Sequence, residues 1–213
     1  MTEPITPATS ARIIGLADQS IEVAEEGLNQ FVALRRRLLQ KEATADVAVH
    51  NAVEFSYLLQ FDFNCLLIEF VRYTGSSRGS VYGRLLVLLI HESTRTLQSI
   101  LGRQFQIQLA ATIGRDDALA ECRALHRLAV ELHRHSQARY GDVRDGILAH
   151  RDADPEIRLR LIAMTHDHQA VGDLVTRMQE VVLRLARLTA EYVRVLAKQA
   201  DAKTSLMPPP PTP

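Results

Sequence analysis

The segment from Tyr140 to Asp152 combines side chains suited to proton transfer with side chains suited to anion binding. It reads Tyr-Gly-Asp-Val-Arg-Asp-Gly-Ile-Leu-Ala-His-Arg-Asp and contains Arg144, Asp145 and His150. Histidine accepts and donates protons near neutral pH, and a guanidinium can hold a phosphate bidentately and stabilise developing negative charge. Asp145 could orient Arg144 or raise the pKa of a nearby histidine. The segment is therefore a candidate for proton transfer beside a bound anion.

Arginines followed by a histidine after five or six intervening residues also occur elsewhere, and these occurrences serve as controls. They run from Arg84 to His91, from Arg127 to His133 and from Arg160 to His166. Leucine follows the arginine in each control, whereas Asp145 follows Arg144 in the candidate. On a regular helix Arg144 and His150 would lie about 120° apart and about 9 Å along the axis, so the long arginine must swing towards the region that His150 faces.

In these residues the chain resembles the HEPN superfamily and, within it, the AbiU-type abortive-infection domains. The family signature is an arginine, then a polar residue such as Asp, then a histidine a few positions further on; Arg144, Asp145 and His150 fit it. The run Ala149-His150-Arg151-Asp152 is also similar to the AbiU-type form. The resemblance covers about a dozen residues as a motif and the predicted helical architecture over roughly residues 45–200.

The resemblance implies a metal-independent endoribonuclease with a toxin or phage-defence role. RNA carries its own nucleophile, the 2′-hydroxyl, so a base, an acid and an anion clamp suffice, and a 2′,3′-cyclic phosphate remains. A single His150 in each chain cannot serve as both a separate base and a separate acid. The resemblance implies a homodimer that brings the motifs of two chains together. It also implies a cognate antitoxin, such as a nucleotidyltransferase-like protein, as a partner.

Two other interpretations stay open. Arg144 and Asp145 could form an ordinary surface charge pair, with His150 a partly buried histidine bonded to a backbone carbonyl. Alternatively, the chain could be a non-catalytic helical interaction module in a defence or toxin–antitoxin system. The heptad in its last helix and its Pro-rich tail motivate this second interpretation.

Composition weakens or excludes several classes of protein. The chain has 213 residues, of which 46% are hydrophobic and 23% charged, as in globular domains. A formal net charge of zero argues against a strongly basic nucleic-acid or membrane binder, although a local phosphate site stays open. There is no Gly-rich phosphate loop and no GxSxG motif. The longest apolar run, Leu85 to Ile90, is far shorter than a membrane span. The segment Met1 to Ser10 has no signal-peptide pattern. We therefore expect a cytoplasmic protein.

The cysteines and histidines predict no disulfide, metal or cofactor. Cys65 and Cys122 lie in apolar helical surroundings, as small buried residues do in a reducing compartment. Two pairs of histidines are two positions apart, His133 with His135 and His166 with His168. Side chains two apart on a helix point in roughly opposite directions, so neither pair makes a good chelate.

Helical periodicity throughout the chain predicts an all-α fold, an antiparallel bundle of five to six helices as in HEPN domains. We expect long helices at about 9–42, 45–73, 81–101 and 116–140, and a last long helix ending near 202. Between them we expect a short amphipathic piece at 104–113, a short helix at 142–150 and a weakly patterned helical segment at 156–168. A loop is expected at 74–80 and a break at Tyr140–Gly141. Asp62 lies in the nearly all-apolar second helix, where burial would require an ion-pair partner such as Arg84 or Arg95.

The domain organisation follows from these elements. We expect a flexible N-terminus at 1–10, one helical HEPN-like domain at 11–203 and a disordered Pro-rich tail at 204–213. The last helix carries the clearest heptad, which we expect to pack inside the monomer rather than against a second copy. Its members are Leu174, Met178, Val181, Leu185, Leu188, Tyr192 and Val195.

Overall fold

The computed structural model describes residues 6–40, 47–114, 116–148 and 167–205, and this part of the chain is all-α, as predicted. Its six helices are α1 (Pro7–Gln40), α2 (Val47–Arg72), α3 (Ser77–Ile100), α4 (Arg103–Ile113), α5 (Asp116–Leu148) and α6 (His168–Ser205). Two predictions fall largely outside the described residues. They are the helix at 156–168, of which residues 156–166 are not described, and the tail, which is not described from residue 206.

Helix α3 begins earlier than the sequence predicted. The expected loop at 74–80 is reduced to a tight turn in which Gly75 has a φ of 82°. Ser76 caps the helix because its side-chain oxygen accepts a hydrogen bond from the Gly79 N–H at 3.2 Å. The residues that looked like a flexible Gly/Ser loop therefore form a helix start.

The predicted break at Tyr140–Gly141 is wrong, because α5 continues to Leu148. Tyr140 is only 2% exposed, and Gly141 is also buried. A glycine inside a helix costs about 1 kcal/mol, which is less than burial of a large aromatic side chain contributes. Asp142, which we expected to cap a new helix, lies within α5 instead.

Cross-helix contacts show how the helices run. On α5 and α6, ion pairs join Arg139 to Asp167 just before α6, Glu131 to Arg177, and Glu121 to Arg184, so the two helices are antiparallel. Phe70 contacts His168, and Ser56 accepts a hydrogen bond from Thr189, so α2 and α6 are also antiparallel. Because α2 and α3 form a tight hairpin, α3 runs parallel to α6 and antiparallel to α5.

Helices α2, α3, α5 and α6 therefore form an antiparallel four-helix bundle in which each helix packs against its two neighbours. Helix α1 packs mainly on α2, and α4 connects α3 to α5 while touching α2, α5 and α6. The heptad of α6 lies inside the monomer as expected: all its members are buried except Val195, which is half-buried. Within the described helices, none combines the length and apolar character needed to cross a bilayer.

A small polar network joins α1 to α2. The buried Gln60 donates hydrogen bonds to the carbonyl and the hydroxyl oxygen of Ser20 at 3.1 and 2.8 Å, and Asn64 donates to the same hydroxyl. The opposite face of α2 is open, so Asp62 is exposed. Because Asp62 is not buried, the condition under which it would need Arg84 or Arg95 as an ion-pair partner does not arise.

Two glycines of α1 provide a matched test of this packing. A methyl group at Gly27 would overlap the ring of Tyr57 on α2, whereas a methyl at Gly15 would meet open space. We expect Gly15→Ala to raise the free energy of unfolding by about 0.5–1 kcal/mol. Gly27→Ala should lower it by about 1–3 kcal/mol. Urea unfolding measures both, and equal effects would contradict the placement of α1 on α2.

Candidate functional site

The backbone of Arg144 and Asp145 lies in the last turns of α5. The side chains of both residues, and the whole of His150, lie outside the described residues. Since α5 is unbroken, Arg144 and Asp145 belong to a long, well-anchored helix and not to a short separate one. Their axial position is consequently fixed by the packing of α5 in the bundle.

The end of the bundle that carries these residues can be identified from a contact further along α5. The rings of His133 on α5 and His91 on α3 lie 4.5 Å apart between centroids. At about 1.5 Å per residue, Arg144 lies about 17 Å beyond His133 along the helix axis. Arg78 lies about 20 Å from His91 along α3, in the same direction because the helices are antiparallel. We call this end, where α2 and α5 finish and α3 and α6 begin, the motif end.

The motif end also presents arginine and tyrosine side chains from the turn between α2 and α3. The rings of Tyr73 and Tyr82 are nearly parallel, with centroids 5.9 Å apart and an interplanar angle of 13°. The Arg78 guanidinium carbon lies 5.3 Å from the Tyr73 ring centroid. Arg72 makes an ion pair with Glu69 at 2.7 Å. We call Arg72, Tyr73, Arg78 and Tyr82 the α2–α3 corner.

A pair of histidines lies midway along the bundle, away from the motif end. His91 is 3% exposed, and the Thr94 hydroxyl lies 3.3 Å from Nδ1 of His133, within hydrogen-bond reach. His91 and His133 each belong to one of the arginine–histidine spacings used above as controls. Their contact, however, joins residues on different helices. Two imidazoles supply only two metal ligands, and the described residues contain no group of three or more His, Cys, Asp or Glu side chains able to hold a metal.

An open cavity of about 590 Å³ lies between α5 and α6, near the start of α5 and so far from the motif end. Its charged lining residues are Asp117, Glu121, Glu180, Arg184, Arg187 and Glu191. Arg184 donates two hydrogen bonds to Glu121, at 2.7 and 2.9 Å, and one to Glu180 at 3.1 Å. The hydrogen bonds from Arg184 lower the pKa of Glu121. This geometry is that of a mutually satisfied ion network joining two helices.

Removing the charge of Glu121 tests that network. Because its carboxylate pKa is lowered in the folded state, its contribution to stability is present above the ordinary carboxyl pKa and is lost as pH falls through the lowered one. Glu121→Gln should lower the free energy of unfolding at pH 7 by about 0.2–1 kcal/mol, since the pair is partly exposed. Urea unfolding at pH 7 and pH 3 measures this loss, which should shrink at pH 3.

The matched control is Glu22→Gln, at an exposed position of α1 without an ion pair among the described residues. We expect that control to leave stability unchanged within about 0.5 kcal/mol. If both variants lose the same stability at pH 7, the bidentate pair does not stabilise the α5–α6 interface.

Each cysteine differs in its surroundings. Cys122 is fully buried, and burial raises the pKa of its thiol to about 11. Cys65 is only half-buried, and burial together with Asp62 and Asp18 raises its pKa. A raised pKa lowers the thiolate fraction at neutral pH, so neither group is an activated nucleophile.

Comparison with known proteins places this chain in no family, so a functional assignment must rest on its own residues. No family model, no curated protein and no solved structure matches this chain.

Proposed function

We propose that this protein is a metal-independent endoribonuclease of the HEPN type that acts as a homodimer. Arg144 would hold the scissile phosphate, Asp145 would orient the arginine, and His150 would transfer protons. The observation that carries the proposal is the unbroken α5, which puts Arg144 and Asp145 at the same end of an antiparallel bundle as the arginine and tyrosine side chains of the α2–α3 corner.

The proposed reaction needs only groups that two chains and the RNA supply. One His150 accepts the proton of a 2′-hydroxyl, whose oxygen attacks the adjacent phosphorus. The bond from phosphorus to the 5′-oxygen breaks, and the His150 of the second chain gives that oxygen a proton. Arg144 stabilises the negative charge that develops on the non-bridging oxygens. The products are a 2′,3′-cyclic phosphate and a 5′-hydroxyl.

Metal independence is the first test of this proposal. The purified protein is incubated with a single-stranded RNA in an excess of EDTA, and product formation is followed on a denaturing gel. Cleavage at an unchanged rate supports the proposal. Cleavage that EDTA abolishes and added Mg²⁺ restores would contradict it, because the proposed residues need no Lewis acid.

A second candidate function is a non-catalytic helical interaction module in a defence or toxin–antitoxin system. The heptad of α6 no longer supports it, since that stripe is buried within the monomer. Exposed apolar side chains on α2 and α3 favour it instead: Leu58, Phe61, Val81 and Leu85 are each 38–47% exposed. A partner such as a nucleotidyltransferase-like antitoxin would cover such side chains.

The two functions give different results with the same purified protein. The interaction module predicts no RNA cleavage by the wild type, together with a stable complex with the product of an adjacent gene. Leu85→Glu should then weaken the complex, whereas a substitution of Glu22 on α1 should not. The ribonuclease predicts cleavage by the protein alone, with a dimer mass in light scattering.

A further inference from the structure

The α2–α3 corner has the geometry of a stacking site. Tyr73 and Tyr82 are half-buried and nearly parallel, and the exposed guanidinium of Arg78 lies against the Tyr73 ring. The Arg78 guanidinium also reaches the Tyr73 hydroxyl at 3.5 Å. A guanidinium and an aromatic ring both present flat faces, and unpaired nucleobases stack on both. The exposed Arg78 is the open end of this stack.

Backbone contacts hold the corner in place. The Tyr73 carbonyl accepts hydrogen bonds from the hydroxyl and the N–H of Ser76, at 2.6 and 3.0 Å. Gly79 packs so closely against that carbonyl that a methyl group at this position would overlap it. The rings are therefore positioned by a rigid helix–turn–helix connection, which lowers the conformational entropy lost when a ligand binds.

The charges at the corner suit an anionic ligand. Arg78 is exposed and makes no ion pair with a carboxylate among the described residues, so its charge is available to a phosphate. Arg72, by contrast, is paired with Glu69 at 2.7 Å. One accessible cation beside aromatic faces fits a nucleotide better than it fits an apolar peptide.

We propose that the α2–α3 corner binds an unpaired base of the RNA, with the base stacking on the exposed Arg78 guanidinium, which lies against the Tyr73 ring. This inference rests on the proposed ribonuclease function and deepens it by assigning the side chains that would hold a base of the substrate. Arg78 and Arg144 lie at the same end of the bundle, so one strand can reach both. A base held in a duplex cannot enter the stack, and binding accordingly discriminates against double-stranded RNA.

Binding is measured with a 2′-O-methyl single strand, which the proposed reaction cannot cleave. The chain has five tyrosines and no tryptophan, so intrinsic fluorescence reports on tyrosine alone. Tyr73→Leu and Arg78→Ala should each raise Kd by roughly 5- to 100-fold, while Tyr73→Phe keeps the ring and retains binding. Arg95→Ala, an exposed position nearer the other end of α3, is the matched control and should leave Kd unchanged.

Several outcomes would overturn the stacking site. An unchanged Kd in folded Tyr73→Leu would do so, and so would equal affinity for a duplex of the same sequence. A loss in Arg78→Ala but not in Tyr73→Leu would reduce the corner to a simple charge contact, such as an acidic protein surface would also make. If His150→Ala abolishes cleavage but Tyr73→Leu binds and cleaves normally, the corner fails and the ribonuclease stands. If His150→Ala cleaves normally while Tyr73→Leu loses binding, the proposed ribonuclease mechanism fails and the stacking site stands.

Discussion

Replacement of His150 by alanine is expected to lower the rate of RNA cleavage by about 10²–10⁴-fold, the usual contribution of a general acid or base. The reason is that the proposed reaction assigns both proton transfers to this imidazole, one in each chain of the dimer. The rate is measured with excess enzyme over a short single-stranded RNA. Far-UV circular dichroism checks that the helical content of the variant is unchanged.

Two further variants make this test specific. His135→Ala removes an exposed histidine of α5, outside the motif, and should leave the rate unchanged. Arg144→Lys keeps the positive charge but loses the bidentate fork, so it should remain strongly impaired. Cleavage by His150→Ala within a factor of about three of wild type would remove the proposed mechanism.

Gly141→Pro is expected to lower the free energy of unfolding by about 3 kcal/mol or more. Position 141 lies inside α5, where proline removes a backbone hydrogen bond and its ring clashes with the carbonyl four residues earlier. If the chain instead broke at Tyr140–Gly141, proline would be tolerated there. Urea unfolding followed by circular dichroism measures the difference.

Gly141→Ala is the matched control for this substitution. A methyl group would come within 2.6 Å of Nε2 of Gln137, the far end of an exposed and flexible side chain that can move away. Alanine also favours helix by about 1 kcal/mol over glycine. The alanine variant should therefore be as stable as wild type or slightly more so. Comparable stability of the proline and alanine variants would show that α5 does not continue through this point.

Local sequence patterns were sufficient to predict most of the fold. The repeating apolar positions of α6 predicted both the helix and its buried face, because a helix of period 3.6 places such residues on one side. The buried residues of α1, Ala17, Ala24, Phe31 and Leu34, also follow each other at spacings of seven or three and so share one face. Antiparallel packing followed from long helices joined by short connections.

The main differences between the predicted and the observed helix boundaries lie at two glycines. Gly79 was expected in the loop at 74–80 and Gly141 at a helix break, yet each lies buried inside a helix. At Gly79 the missing side chain allows close approach to the Tyr73 carbonyl, and at Gly141 the neighbouring Tyr140 is buried in the core. Both reasons are tertiary contacts, which the local sequence does not contain.

The site was predicted less completely than the fold. The contact between His91 and His133 joins two helices, so no spacing along the chain indicates it. The nearly all-apolar sequence of α2 did not show whether Asp62 is buried; the helix is covered by α1, α3 and α6 and leaves one face open, where Asp62 lies. The roles of Arg144, Asp145 and His150 stay predictions.

The most direct test of the ribonuclease uses an oligodeoxynucleotide that contains one ribonucleotide. Only that position carries a 2′-hydroxyl, so the proposed chemistry predicts a single cut immediately after it in the presence of EDTA. Mass spectrometry should then find a 2′,3′-cyclic phosphate on one product and a 5′-hydroxyl on the other. Cuts at deoxynucleotides, or a 5′-phosphate at the cleavage site, would contradict attack by the 2′-hydroxyl and with it the proposed role of Arg144 and His150.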